Sequence, residues 1–94
     1  MKILEIDIVK TKSEKVKGRA DIHFDGFILK GFKILRDEET KKEYVTPPSY
    51  LAGNFWRPLF KTDSPEDWQE IQRQVLKKFN EYLIDETVNE TAEI

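Results

Sequence analysis

The one histidine of the chain stands in Asp21-x-His23-x-Asp25. Side chains alternate between the two faces of a strand, so this spacing puts all three residues on one side. A carboxylate–imidazole–carboxylate row can hold a metal ion or relay a proton. The same spacing argues against both uses. Successive residues on one strand face lie about 7 Å apart, too far for a single ion without further ligands. The opposite face would carry Ala20, Ile22 and Phe24, which makes the Asp-His-Asp side the solvent side. A solvated strand face is the stronger reading, and no metal site is expected.

Other chemistry is thinner still. The carboxylate pairs Asp37-Glu38-Glu39 and Glu66-Asp67 fall in a loop and a helix start, where nothing in the sequence would raise a carboxyl pKa. The four glycines are isolated, so no phosphate-cradling loop exists. Ser49 and Ser64 have no histidine placed beside them by a local motif. The absence of cysteine excludes thiolate nucleophiles, disulfide scaffolds and cysteine-ligated zinc or iron–sulfur centres. No catalytic residue, metal or cofactor is expected, and the chain does not read as an enzyme.

What remains is the run from Tyr50 to Lys61, where Tyr50, Phe55, Trp56 and Phe60 interleave with Arg57 and Lys61. Aromatics beside cations can stack on bases and touch phosphates. The competing reading, and the favoured one for the rings themselves, is structural. Phe55 and Phe60 would complete the core, while Trp56 packs under a helix or against a second subunit.

Charge is distributed unevenly. Residues 1–36 carry nine Lys/Arg against five Asp/Glu, residues 37–62 four of each, and residues 63–94 three against nine. The basic front half permits polyanion binding, although a solvated sheet face opposite an acidic helix and tail is the favoured reading of the asymmetry. At 94 residues the chain is one domain with an adequate but small core. No apolar run approaches the ~20 residues of a membrane helix. The opening residues lack the pattern of a secretory signal, so a cytoplasmic protein is expected.

The elements that must position these residues are legible from periodicity. Leu4, Ile6 and Ile8 alternate with Glu5 and Asp7, which predicts a strand with one buried face. A polar turn over 11–17 precedes a second strand carrying Ala20, Ile22 and Phe24. Asp25-Gly26 then predicts a type I′ hairpin into a strand over 27–35, with Gly31 at a bulge or close backbone contact. After a charged loop over 36–42, a short strand over 43–46 is stopped by Pro47-Pro48. The segment that follows reads as irregular or edge-strand structure. Ser64 caps a helix with Pro65 at its first position, and Trp68, Ile71, Val75, Phe79 and Tyr82 or Leu83 form its apolar stripe. The expected fold is α+β: an antiparallel β-meander with one long C-terminal helix packed on the sheet. Residues 1–84 form the domain, and 85–94, acidic and without a stripe, a flexible tail.

The order of landmarks resembles a known family. Ala20-x-Ile22-x-Phe24-Asp25, Phe27-Ile28, Phe32-x-Ile34-Leu35, Tyr44-Val45-Thr46-Pro47-Pro48-Ser49, Gly53-x-Phe55 and Ile71-Gln72-x-x-Val75-Leu76 look like the stage V sporulation protein G (SpoVG) septation-regulator family. The resemblance spans about residues 3 to 83. It implies a small bacterial cytoplasmic regulator, typically a homodimer, that binds DNA or RNA and acts on septation or sporulation genes. The chain departs from the family pattern in three places. Tyr50 and Leu51 stand where Lys and Arg commonly follow Pro-Ser, Phe60-Lys61-Thr62-Asp63 replaces His-Pro-x-Asn, and Trp56 takes a usually basic position. Each loss of a cation removes electrostatic affinity for a polyanion.

Two functions follow as expectations. In the first, Lys30, Lys33, Arg36, Lys41, Lys42, Arg57 and Lys61, with Trp56, contact nucleic acid, while Tyr50, Phe55, Trp56 and Phe60 lie at or near a dimer contact. In the second, the aromatic segment 50–60 is a protein-interaction module without nucleic acid.

Overall fold

A computed structural model describes the backbone of residues 2–92 and side chains as far as Asp85. The elements run β1 (Ile3–Val9), β2 (Val16–Phe24), β3 (Phe27–Arg36), β4 (Glu43–Thr46), β5 (Ser49–Ala52), β6 (Phe55–Pro58) and α1 (Pro65–Ala92). Strands β1 to β4 form one antiparallel sheet in sequence order, and β5 and β6 form a separate two-stranded hairpin. The fold is the expected α+β meander with a single helix on one face.

Alternation decides which residues face that helix. Ile6, Ala20, Ile22, Phe24, Phe32, Ile34 and Val45 from the sheet are buried with Ile71, Val75 and Phe79 from α1. Each large apolar side chain withdrawn from water in this layer contributes about 1.5–3 kcal/mol. Gly18 lets the two layers approach closely, because a Cβ there would stand 3.0 Å from Phe79 Cε1. Phe60 closes one end of the core, its ring 5.7 Å from that of Phe24 and 5.4 Å from that of Phe32, with Trp68 beside it.

The helix begins as its sequence dictates. The Asp67 N–H donates to Ser64 Oγ at 3.2 Å, which satisfies one of the four free donors of the first turn. Its stripe continues through Tyr82, half-buried, and not through exposed Leu83. The backbone remains helical to Ala92. The side chains after Asp85, together with residues 93 and 94, lie outside the described residues, and so does the expectation of a flexible tail.

Three local expectations are corrected and one is narrowed. A bulge between Ile3 and Glu5 turns Leu4 outward to 56% exposure, and Ile3 packs against the core in its place. The Asp25-Gly26 turn has left-handed backbone at Gly26 alone (φ +93), which is the pattern of a type II turn and not of type I′. Asp25 instead donates its N–H to the Lys2 carbonyl, joining the turn to the start of β1. The segment after Pro48 takes the edge-strand form of its two readings and not the irregular one: Gly53 (φ +64) makes the tight connection between β5 and β6. Phe55 and Trp56 lie outside the core altogether, because that hairpin stands apart from the sheet–helix sandwich.

Candidate nucleic-acid interface

The face of the sheet turned away from α1 divides into an acidic half and a basic half. On the acidic half, Glu5 and Asp7 of β1 stand beside His23 of β2, and His23 Nε2 lies 2.7 Å from Asp7 Oδ2. One ligand atom from each of the three residues falls within 4.8 Å of the others. These are the residues that could hold a metal ion, and they are not the row expected from sequence. Asp21 is drawn away: its carboxylate accepts the Gly31 N–H at 3.1 Å and pairs with Arg19 at 3.4 Å, leaving it buried. Asp25 is exposed in the turn. The partners of His23 come from across the strand pair, which only the β1–β2 register reveals.

On the basic half, β3 and β4 present Lys33, Leu35, Tyr44 and Thr46 outward, with Lys33 opposite Thr46 and Leu35 opposite Tyr44. Beyond Leu35 the surface opens into a groove of about 980 Å³, where Lys15, Lys17, Arg36 and Lys41 surround Leu35 and Tyr44. Glu14 and Glu38 share this groove, and Arg36 is paired with Glu43 at 2.9 Å. Lys41 is held at its edge in left-handed backbone, φ +62, an uncommon state for a residue with a Cβ. Asp37 fixes the loop that holds it. Its carbonyl accepts the Lys41 N–H at 2.8 Å, and its carboxylate accepts the Glu39 N–H at 2.8 Å.

The β5–β6 hairpin stands at the other end of this strip. Tyr50 faces Arg57 across the pair, Leu51 faces Trp56, and Ala52 faces Phe55. Directly opposed residues share a face, so Tyr50, Phe55 and Arg57 lie on one side and Leu51 and Trp56 on the other. Trp56 is 67% exposed and Phe55 71%, yet Lys33 Nζ sits 5.9 Å from the centre of the Trp56 ring. A cation at that distance from a tryptophan face is held electrostatically by the ring quadrupole.

Protein-family models, curated proteins and solved structures contain no match to this chain.

All seven cations expected from sequence are exposed, but they are not one patch. Lys33 joins Trp56, Arg36 and Lys41 border the groove, Lys42 follows in the same loop, and Lys30 lies next to the Gly31 bulge. Arg57 lies on β6 and Lys61 in the connection to α1. Of the four rings expected at a dimer contact, Tyr50, Phe55 and Trp56 are exposed, whereas Phe60 is spent on the core of its own chain. Sequence reasoning missed Lys15, Lys17 and Tyr44. Tyr44 had a usable signal, since it alternates with buried Val45. The two lysines had none, because their proximity to β3 depends on register. Among the described residues, no helix is long and apolar enough to cross a membrane.

Proposed function

We propose that the protein is a non-enzymatic, nucleic-acid-binding regulator of the SpoVG type that acts in the bacterial cytoplasm as a homodimer. The observation that carries this reading is the Trp56–Lys33 pair. A large aromatic surface and a cation are held together at the protein surface, where neither serves the core. The groove around Lys15, Lys17 and Lys41 extends the cationic surface along the same sheet face. Affinity from such a surface is mostly electrostatic, hence weak in sequence preference and steep in salt dependence. Septation or sporulation as the regulated process comes from the family resemblance.

The opposite side of the hairpin supports the dimer. Tyr50 and Phe55 are exposed there, on an element that buries little of itself within one chain. A second reading, a protein-interaction module without nucleic acid, draws on the same two rings together with exposed Leu51 and Leu59. Titrating mixed DNA and RNA at several salt concentrations separates the two. Under the regulator reading, Lys33→Ala reduces the salt slope by about one, and the pair Lys15→Ala/Lys17→Ala by about one to two. Absence of binding at low salt, with a dimer or partner complex still seen by ultracentrifugation, gives the second reading the field.

A further inference from the structure

We infer that the ligand is a single-stranded polynucleotide lying along the outward face of β3 and β4, from Trp56 at one end to Tyr44 at the other. This rests on the nucleic-acid reading and narrows it to a substrate class and a track.

Three observations support it. The first is the kind of surface on offer. Trp56 and Tyr44 present exposed rings on β-strands, and a ring face can stack only on a base that is not already paired and stacked in a duplex. Among the described residues, the one long helix is not free to enter a duplex groove. The apolar stripe of α1 is buried against the sheet, and Arg73 on its outer side is paired with Glu70.

The second observation is spacing. Lys33, beneath Trp56, and Leu35, opposite Tyr44, are two residues apart on β3 and on the same face. Rows on that face are therefore about 7 Å apart, roughly twice the ~3.4 Å rise between bases stacked in a duplex strand. The platform suits bases splayed apart on a strand, not bases held in a helix.

The third is charge. Lys33, Lys15, Lys17 and Lys41 border the track. Arg19 and Arg36 are matched by Asp21 and Glu43, and Glu14 and Glu38 offset part of the groove. Across the sheet, Glu5 and Asp7 make the β1 side repulsive to phosphate. The polyanion is thereby directed onto β3 and β4 and kept from spreading over the whole face.

The test is fluorescence anisotropy with labelled oligo(dT), oligo(U) and a mixed-sequence duplex of equal length, each at three salt concentrations. We expect at least one single strand to bind ten times more tightly than the duplex. Tyr44→Ala and Trp56→Ala should each weaken it by about tenfold, the range expected for loss of one stacked base, and Phe55→Ala on the opposite hairpin face by less than twofold. Lys15→Ala/Lys17→Ala should lower the salt slope by one to two. All these side chains are exposed, so the variants should keep the fold, which circular dichroism checks. Duplex bound as tightly as either single strand overturns this inference and leaves the regulator reading standing. Single strands bound equally well by wild type and Tyr44→Ala overturn the track. No binding to any of the three at low salt removes the regulator reading itself.

Discussion

The Asp21 carboxylate accepts the backbone N–H of Gly31 from the neighbouring strand at 3.1 Å. Between Ala20 and Ile22 the pairing of β2 with β3 gains a residue on β3, and Gly31 sits in that bulge with φ +100. An acidic side chain thus plugs the gap in the ladder left by a residue that only glycine accommodates easily. The bulge shifts the phase of β3, so that Leu29 and Phe32, three residues apart, both face α1.

Breaking either half of this arrangement should destabilise the protein. Asp21→Ala leaves a half-buried N–H without its acceptor and should cost about 1–3 kcal/mol. Gly31→Ala should cost about 1–2 kcal/mol from backbone conformation alone, because its Cβ would meet only Pro48 Cβ at an ordinary 3.8 Å. Urea denaturation measures both. Loss of less than half a kcal/mol in each would mean that the bulge is not held by this bond.

Gly18→Ala tests the closeness of sheet and helix. The added methyl would press on the Phe79 ring at 3.0 Å in a buried layer, with an expected cost of about 1–3 kcal/mol. Adding Phe79→Leu should recover part of that loss, since it removes the crowded ring edge. A double variant less stable than the sum of the singles would contradict contact between position 18 and the Phe79 ring.

The helix makes a graded prediction. Ser64→Ala removes the bond to the Asp67 N–H and should cost about 1 kcal/mol. Val75→Ala opens a cavity beneath a fully buried position and should cost about 2 kcal/mol. The reverse order in chemical denaturation would show the cap, and not the stripe, to be the stronger hold.

Acid sensitivity has one identifiable source on the helix surface. Hydrogen bonds from Arg73 and then Gln74 hold the Glu70 carboxyl down at about 2, against an ordinary value of 4.5. A carboxyl lowered by folding favours the native state fully above its unfolded value and loses that contribution as pH falls through the folded one. Stability should therefore decline between about pH 4.5 and pH 2, and less so in Glu70→Gln. The side-chain carbon shift of Glu70 should titrate near the lower value; a midpoint above 4 would exclude the paired geometry.

Lys41→Gly separates stability from binding. Left-handed backbone at φ +62 is costly for lysine and easy for glycine, so the variant should be more stable by up to about 1 kcal/mol. Removing its charge from the groove should at the same time lower the salt slope for polynucleotide by about one. A variant that is more stable but keeps the wild-type slope places Lys41 outside the track.

Much of the fold was legible because it follows from short-range physics. Alternation of Ala20, Ile22 and Phe24 dictates which side of β2 is buried, and Ser64-Pro65 dictates where α1 starts, whatever lies elsewhere in the chain. The α+β class, the four-strand meander and the helix stripe rest on such local rules. Register does not. Whether His23 meets Asp25 or Asp7 depends on how β1 slides against β2, and a bulge at Leu4 shifts that pairing without a periodic signature. The same holds for Lys15 and Lys17 beside Tyr44, and for Lys33 under Trp56, which come together only when separate hairpins fold across one sheet face. Aromatic side chains were the least legible. Phe55, Trp56 and Phe60 are alike in chemistry and close in sequence, yet one packs against the core and two face solvent, because burial is decided by whether a helix or a strand lies opposite. Sequence alone determined the meander, the helix and the inward faces of β2 and α1; the tertiary structure alone decided where a bulge turns a side chain outward, as at Leu4, and which outward side chains stand together, because those contacts join residues that no local period relates.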